Sequence, residues 1–224
     1  MPRVEGKGLA PLDPRAWGLY VITDRQQTGG RSLEEVIAGA LAGGARAFQL
    51  REKDLPAQEL CRLAERLLAQ TRPAGVLLLI NDRLDVALGV GADGVHLTRR
   101  SLPPSAVRPL LRPGMCLGVS CHSLEDAREA ASGGADFILL GPIFATPSKA
   151  PYSPPAGPAL IRRIRPAVAC PVLGIGGITA ANAGEVLAAG ADGVAVISAV
   201  MGAPDVAAAT RALLTAVRRA PRPA

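Results

Sequence analysis

Gly91-Ala92-Asp93-Gly94-Val95-His96-Leu97 is the stretch that decides the fold, because its plan occurs four times in the chain. In each copy a helical stretch runs into glycine, then Ala and usually Asp, and then a short apolar run. Glycine suits the left-handed residue that ends a helix, and the apolar run is typical of a buried strand. The other copies are Gly43 to Leu50, with Arg46 in place of Asp, Gly133 to Leu140, and Gly190 to Ile197. This repeated junction predicts a single (β/α)8 TIM barrel of the α/β class, whose chemistry sits at the carboxyl ends of the strands.

The composition fits one soluble domain that acts on a small anion. The chain has 224 residues, of which 49% are hydrophobic and only 3% aromatic, so we expect Ala, Val, Leu and Ile to fill the core. So few aromatic residues argue against a stacking surface for single-stranded nucleic acid. The net charge of +6 is scattered apart from a basic tail, which favours an anionic small-molecule substrate over nucleic acid.

Neither a targeting segment nor a membrane span is evident in the sequence. Residues 1–17 lack the apolar region of a signal peptide, and the apolar run from Val76 to Ile80 is too short to cross a bilayer. The four cysteines have no zinc spacing and are expected to be free thiols in a reducing compartment. We therefore predict a cytoplasmic protein without a membrane partner, with an N-terminal extension at 1–17, a barrel at 18–219 and a tail at 220–224. A homo-oligomer is compatible with the sequence.

Eight strands are predicted, each followed by a helix. The first helix is expected to begin at Ser32, where Glu35 completes a capping box, and the helix after the fifth strand at Ser123, capped with Asp126. Helices are also expected to begin at Thr179 and, last in the chain, over 205–219. The loop at 141–157 is the longest, and long loops in compact domains are often functional. The predicted strands are 18–23, 47–50, 76–80, 94–97, 116–119, 137–140, 172–175 and 194–197.

The end of the second predicted strand is strongly basic. Residues two apart in an extended chain point the same way, so Gln49, Arg51 and Lys53 project together. Phe48 and Leu50 then face the helix layer. Desolvating such a group is costly unless an anion sits there. The alternative is a surface cluster of ion pairs with Glu52 and Asp54.

Polar residues also follow the third and fifth predicted strands. Asn81 and Asp82 suit an amide on a phosphate oxygen and a carboxylate on Mg2+, or else they cap the helix that follows. Ser120 suits a contact with substrate. His122 suits a general acid or base, a helix cap or a neutral residue at the rim.

The last strands predict a phosphate site. Loops after strands 7 and 8 of such barrels bind phosphate through backbone N–H groups and a helix N-terminus. Here those loops are Gly174-Ile175-Gly176-Gly177-Ile178 and Ile197-Ser198-Ala199. Tight packing of strand on helix is the alternative reason for the glycines. In the longest loop, Thr146-Pro147-Ser148-Lys149 suits a phosphate clamp.

These motifs together resemble the thiamine phosphate synthase family over roughly residues 18–201. The resemblance is carried by Tyr20 to Asp24, Gln49 to Lys53, Asn81 to Arg83, Gly94 to Leu97, Gly118 to Ser120, Thr146 to Lys149, Gly174 to Ile178 and Val196 to Ser198. It implies a transferase that joins 4-amino-2-methyl-5-hydroxymethylpyrimidine diphosphate to a thiazole phosphate. Thiamine phosphate and diphosphate would be released through a dissociative reaction that uses Mg2+.

The resemblance also implies a role for individual residues. Asp82 would bind Mg2+, and Arg51, Lys53, Lys149 and Ser120 would act in catalysis. The pyrimidine diphosphate would be held by Gln49, Leu50, Arg51, Glu52, Lys53, Asn81, Ser120 and Lys149, and the thiazole phosphate by Thr146, Pro147, Ser148, Gly177, Ile197 and Ser198.

The chain departs from the family pattern at one position. Ser101 stands where the family has an aspartate as its second Mg2+ ligand. Either one carboxylate suffices, with Arg99 or Arg100 in compensation, or the synthase activity is reduced or lost. A related thiazole tautomerase, with His122 transferring the proton, and a non-catalytic barrel that binds thiazole or thiamine phosphate are the alternatives. The basic residues of a diphosphate site favour the synthase.

Overall fold

The computed structural model describes residues 14–146 and 155–221. Its eight strands are all parallel and close into a barrel in chain order, which confirms the predicted fold. Four strands match the predicted bounds, three differ by one residue at each end, and β5 extends two residues further at its carboxyl end. The strands are β1 Leu19–Ile22, β2 Ala47–Leu50, β3 Leu77–Asn81, β4 Gly94–Leu97, β5 Cys116–Cys121, β6 Phe137–Leu140, β7 Val172–Ile175 and β8 Gly193–Val196.

Helices surround the barrel, and short 3-10 helices lie at Arg25–Gln27, Arg108–Leu110 and Arg165–Ala167. The cap at Ser123 and the capping box of Ser32 and Glu35 are both present, as predicted. None of the described helices is long and apolar enough to cross a membrane. The α-helices are α1 Pro14–Trp17, α2 Leu33–Ala42, α3 Ala57–Thr71, α4 Leu84–Val90, α5 Pro104–Val107, α6 Leu124–Ser132, α7 Gly157–Ile164, α8 Ala183–Ala188, α9 Ser198–Met201 and α10 Val206–Arg219.

The repeated Ala-Asp junction closes the base of the barrel. The carboxylate of Asp93, just before β4, accepts a hydrogen bond from the backbone N–H of Leu78 in β3 at 2.8 Å. The other two junction aspartates make the same bond to the strand before them: Asp136 accepts from Leu117 at 2.6 Å, and Asp192 from Val172 at 2.8 Å. Each aspartate therefore satisfies a strand amide that has no ladder partner at the sheet's end. Arg46 occupies this position before β2, where its side chain can only donate.

Side chains alternate between the barrel interior and the helix layer. Phe48 and Leu50 of β2 pack outward against the helices, as predicted. The interior holds a separate apolar cluster in which Trp17, Tyr20 and Phe137 meet, with the Trp17 and Phe137 ring centroids 5.4 Å apart. Trp17 ends the segment that the sequence assigned to the N-terminal extension, yet it is buried in this interior cluster.

Three local features differ from the predictions. The helix expected from Thr179 begins at Ala183, because the backbone N–H of Thr179 donates to the side chain of Asn182 and forms a turn first. The short helix α9, which directly follows β8, was not predicted. Helix α1 was not predicted either.

Candidate functional site

The predicted site residues come together at the carboxyl ends of the strands. Arg51 follows β2, Asn81 ends β3, Ser120 is the second-last residue of β5, and Gly177 and Ser198 follow β7 and β8. Pro147, Ser148 and Lys149 lie outside the described residues. Thr146 is the last described residue before that segment and is partly buried.

The two acidic residues beside the basic cluster, Glu52 and Asp54, form ion pairs with Arg25. Arg25 binds both carboxylate oxygens of Asp54 at 2.6 Å and one oxygen of Glu52 at 3.2 Å. Glu52 is 6% exposed and also accepts a hydrogen bond from the hydroxyl of Thr23 at 2.6 Å. Because Glu52 is fully engaged in this way, it ties the ends of β1 and β2 together. The Arg25 guanidinium also lowers the pKa of Asp54.

Arg51 has no such acidic partner. Its backbone N–H donates to Thr23 Oγ1 at 2.9 Å, which fixes the main chain at this point. Across residues 14–146 and 155–221, no carboxylate forms an ion pair with the guanidinium of this half-buried residue. For Arg51, the alternative of a surface cluster of ion pairs is therefore wrong. A cation that is partly desolvated without a fixed counter-charge is suited to an anionic ligand.

The other residues at the end of β2 lie at different depths. Gln49 is 1% exposed inside the barrel, where its Nε2 donates to the hydroxyl of Tyr20 at 3.4 Å. Leu50 is buried with its side chain among the helices, so only its backbone can face a ligand at the strand ends. Lys53 is exposed.

Asn81 and Asp82 do not cap the helix that follows them. Helix α4 has Arg83 at its N-cap and no side-chain capping bond, so the capping alternative is wrong. Asn81 is 9% exposed, whereas Asp82 is exposed and has a φ of 65°. Such left-handed backbone is uncommon outside glycine, although Asp adopts it more readily than most residues. The turn leaves the Asp82 carboxylate at the mouth of the barrel.

Ser101 contacts Asp82 directly. Its hydroxyl donates to the Asp82 carboxylate and accepts from the backbone N–H of Thr98 at 2.8 Å. The structure thus brings together the two positions that the sequence associated with Mg2+. The described residues contain no cluster of three or more His, Cys, Asp or Glu side chains that would hold a metal by themselves. One carboxylate and a neighbouring hydroxyl nevertheless fit Mg2+, since this ion keeps several waters and takes further oxygens from substrate phosphates.

Ser120 and His122 have separate surroundings. The Ser120 hydroxyl lies 2.9 Å from Nε2 of His96, a histidine inside the barrel. The Nδ1 of His122 lies 2.5 Å from the carbonyl oxygen of Gly141 and must donate to it, because a carbonyl only accepts. The exposed His122 ring borders an outer groove between α6 and α7. Ser123, not His122, caps α6 through its side chain.

The glycines after β7 serve close packing. A Cβ at Gly176 would come within 2.8 Å of Pro142, and one at Gly177 would overlap the backbone of Ala145. The backbone of Phe144 also donates to the carbonyl of Gly176 at 3.0 Å, so this loop is joined to the loop after β6. This supports the packing alternative. The backbone N–H groups of Gly177, Ile178 and Ser198 have no acceptor among the described residues, so they can receive an anion as well.

Sequence reasoning assigned no role to His96, although the residue was part of a quoted motif. His96 is paired in register with Asn81 and Gly118, and its ring reaches Ser120 inside the barrel. Burial, followed by the charge of Arg51, lowers its pKa to about 3. A polar residue on the interior side of an otherwise apolar strand was the signal that could have identified it.

Comparisons with known proteins agree on one family. The model of the family described as thiamine monophosphate synthase matches residues 19–200. The thiamine-phosphate synthase of Roseiflexus castenholzii is 54% identical over 195 residues, which are 87% of this chain and 86% of the relative. That of Moorella thermoacetica is 52% identical over 204 residues, covering 91% of this chain and 97% of the relative.

A solved structure shows the same relationship in three dimensions. The thiamine phosphate pyrophosphorylase from Pyrococcus furiosus superposes with a TM-score of 0.82 at 41% identity, covering 91% of this chain and 96% of its own. Both the sequence and the fold are therefore shared along nearly the whole length. The chain belongs to the thiamine monophosphate synthase family.

Proposed function

We propose that this protein joins 4-amino-2-methyl-5-hydroxymethylpyrimidine diphosphate to a thiazole phosphate, giving thiamine phosphate and diphosphate. The observation that carries this proposal is Arg51, a half-buried cation at the strand ends that pairs with no described carboxylate. The family to which the chain belongs supplies the identity of the substrates. A diphosphate is the ligand that needs such a cation most, because it carries several charges that must be desolvated together.

The diphosphate end of the first substrate is proposed to lie between the ends of β2 and β3. Arg51 and Lys53 supply positive charge there, and Asn81 supplies an amide donor. Lys149 completes the set in the proposal and lies outside the described residues. Gln49 and Ser120, deeper in the mouth of the barrel, suit the polar edge of the pyrimidine ring, while Leu50 and Glu52 contribute backbone groups.

Mg2+ is proposed to bind at Asp82, with Ser101 beside it. When bound, the ion would neutralise charge on the diphosphate oxygens. The chain's own part is to hold the Asp82 carboxylate at the mouth of the barrel through the left-handed turn after β3. The exposed Arg99 and Arg100 follow β4 close by and add positive charge where the family has a second carboxylate.

The second substrate is proposed to bind through its phosphate at the ends of β7 and β8. The backbone N–H groups of Gly177 and Ser198, which have no acceptor among the described residues, would donate to it, with Ile197 between the strand and the short helix α9. This is the usual place for phosphate in (β/α)8 barrels. Thr146 would contact it from the loop after β6. Pro147 and Ser148, which the resemblance assigns to the same phosphate, lie outside the described residues.

The proposed reaction needs charge stabilisation more than proton transfer. The C–O bond between the pyrimidine methylene and the diphosphate breaks, and its electron pair leaves with the diphosphate oxygen. The thiazole nitrogen then donates its lone pair to the methylene carbon and forms the C–N bond. Cations fixed around the leaving group lower the barrier of such a step. The tautomerase alternative is not favoured, because the similar proteins are synthases and His122 is bonded to Gly141 at the rim.

The proposal is tested by incubating the purified protein with both substrates and Mg2+. We expect thiamine phosphate and diphosphate in equal amounts, and no product when either substrate or the metal is left out. A parallel incubation with the thiazole carboxylate phosphate measures tautomerisation. Isomerisation of that compound without any thiamine phosphate formation would overturn the proposal.

A further inference from the structure

His96 lies directly beneath the proposed pyrimidine site and is almost fully buried. It is 1% exposed, and its ring lies against Tyr20 and Phe137, with centroids 6.0 and 5.6 Å away. Its Nε2 lies 2.9 Å from Ser120 Oγ. Its Nδ1 is buried and has no hydrogen-bond partner among the described residues. The ring thus has one polar contact, and that contact is a residue of the proposed site.

A glycine makes room for this contact. Gly118 is paired in register with His96 on the neighbouring strand, two residues before Ser120. A Cβ at Gly118 would overlap both the His96 ring and the Phe137 ring. The imidazole therefore fills the space that a side chain at Gly118 would take, and it reaches along β5 to the hydroxyl of Ser120.

The surroundings of the two ring nitrogens decide which of them carries the proton. A proton on Nδ1 would be a buried N–H donor without an acceptor, and such groups are rarer in proteins than buried acceptors that lack a donor. A proton on Nε2 is instead used in the bond to Ser120. Nε2–H then donates, and the Ser120 oxygen accepts.

We propose that His96 is a positioning residue that fixes Ser120 as a hydrogen-bond donor to the pyrimidine ring. Because the Ser120 oxygen accepts from His96, its own proton points away from the barrel interior and towards an acceptor atom of the ring, such as a ring nitrogen. This inference rests on the proposed function and extends it to a residue that does not touch the substrate.

The low basicity of His96 is consistent with this role. Burial and the nearby Arg51 lower its pKa to about 3, so the ring stays neutral at physiological pH. A neutral ring keeps a single N–H and a fixed donor direction. It also adds no positive charge beneath a pyrimidine that itself becomes positively charged as the diphosphate leaves.

Two amide substitutions separate this role from simple packing. In His96→Gln the side-chain amide reaches the place of Nε2, whereas in His96→Asn it reaches only that of Nδ1. We expect His96→Asn to lower kcat/KM for the pyrimidine diphosphate by about tenfold, the loss of roughly one hydrogen bond, and His96→Gln to recover most of it. Equal losses in the two variants, at equal melting temperatures, would overturn the proposal.

A double-variant cycle tests whether His96 acts through Ser120. If it does, adding His96→Asn to Ser120→Ala causes little further loss, because the contact is already gone. A full tenfold loss in the Ser120→Ala background would overturn the proposal. If the wild-type protein makes no thiamine phosphate at all, the proposed function fails, which is a different outcome from either of these.

The position of the proton is measured independently of activity. The chain has only two histidines, so His122→Gln leaves His96 alone in a 15N-correlated NMR spectrum. We expect a proton on Nε2 and none on Nδ1 at pH 7. His122 provides an internal contrast in the wild type, because its contact with Gly141 requires the proton on Nδ1. A proton on Nδ1 of His96 would overturn the proposal whatever the activity assay shows.

Discussion

The hydroxyl of Ser101 donates a hydrogen bond to the carboxylate of Asp82 across the ends of β3 and β4. The two residues are 19 positions apart in sequence, and the family resemblance implies a second carboxylate where this serine stands. A hydroxyl can share the space around a cation with Asp82, but it contributes no negative charge. The proposed metal site therefore carries one negative charge fewer than a site with two aspartates.

Restoring that charge should strengthen metal binding. We predict that Ser101→Asp lowers the Mg2+ concentration needed for half-maximal rate, because a second carboxylate adds to the attraction for a divalent cation. Titration of activity and of binding by calorimetry checks this, with Ser101→Asn as the uncharged control. An unchanged or weaker Mg2+ dependence in Ser101→Asp would show that this neighbourhood is not a metal site.

Removing the Arg51 cation should cripple turnover and leave the fold intact. We predict that Arg51→Ala costs on the order of 1.5–3 kcal/mol of transition-state stabilisation, the usual range for a hydrogen bond to a charged group. Steady-state kinetics and a melting curve measure the two effects separately. Arg211→Ala is the matched control, since this arginine is exposed on α10 away from the strand ends. Wild-type activity in Arg51→Ala would argue against an anion site at β2.

His122 distinguishes the synthase from the tautomerase. We predict that His122→Ala lowers thiamine phosphate formation by less than about tenfold, well short of the 10²–10⁴-fold typical for a lost general acid or base. The reason is that Nδ1 of its ring donates a hydrogen bond to the Gly141 carbonyl at the rim of the barrel. Both activities are assayed in wild type and variant. A large loss confined to tautomerisation, with no synthase activity in the wild type, would support the alternative enzyme.

The buried His96 should make the protein sensitive to acid. Its folded-state pKa of about 3 lies below the ordinary value of 6.5, so between these values the unfolded chain binds the extra proton. The free energy of unfolding should then fall as pH falls through that window, by up to about 1.4 kcal/mol per pH unit. The charged or titratable groups facing the ring are Arg51 and Tyr20, and burial raises the pKa of Tyr20 well above its ordinary value.

The measurement is urea unfolding at several pH values in wild type and in His96→Gln. Between pH 6 and pH 4, an interval of about 2 pH units within the window above, the free energy of unfolding should depend less steeply on pH in the variant than in the wild type. The difference in slope corresponds to one proton taken up on unfolding. Parallel curves for the two proteins would show that His96 takes up no proton on unfolding.

The junction aspartates should contribute to stability and not to activity. We predict that Asp93→Ala destabilises the fold by about 1–3 kcal/mol, because it leaves the Leu78 amide buried without an acceptor. Asp93→Asn keeps an acceptor oxygen and should be milder. Denaturant unfolding compares both with Asp85→Ala, which removes an exposed carboxylate from α4. Equal effects of the three substitutions would contradict the role assigned to the junction.

The barrel could be predicted from sequence because its signals are local and repeated. Each Ala-Asp junction places a helix end, an amide acceptor and a buried strand within a few residues, and β4 and β6, which follow two of these junctions, have the predicted bounds. The departures are also local in origin. The late start of α8 depends on a side-chain contact of Asn182 that composition does not reveal.

The sequence predicted the positions of site residues only where it predicted the end of the strand that precedes them. Arg51 and Asp82 could be placed at the mouth of the barrel from their positions after β2 and β3. That Arg25 would take Glu52 and Asp54, and so leave Arg51 without an acid, depends on the geometry of the loop after β1. The contact of His96 with Ser120 depends on the space beside Gly118, which is a property of two strands at once.

The aspartate junctions have one further consequence. They fasten β3 to β4, β5 to β6 and β7 to β8 at the base, whereas Arg46 gives β1 and β2 no such bond. That first pair is held at the opposite end, by the contact of Thr23 with Glu52. Three strand pairs are thus joined by an aspartate at the amino-terminal end of the barrel, and one pair is joined at the carboxyl-terminal end. Arg51 directly follows the second strand of that last pair.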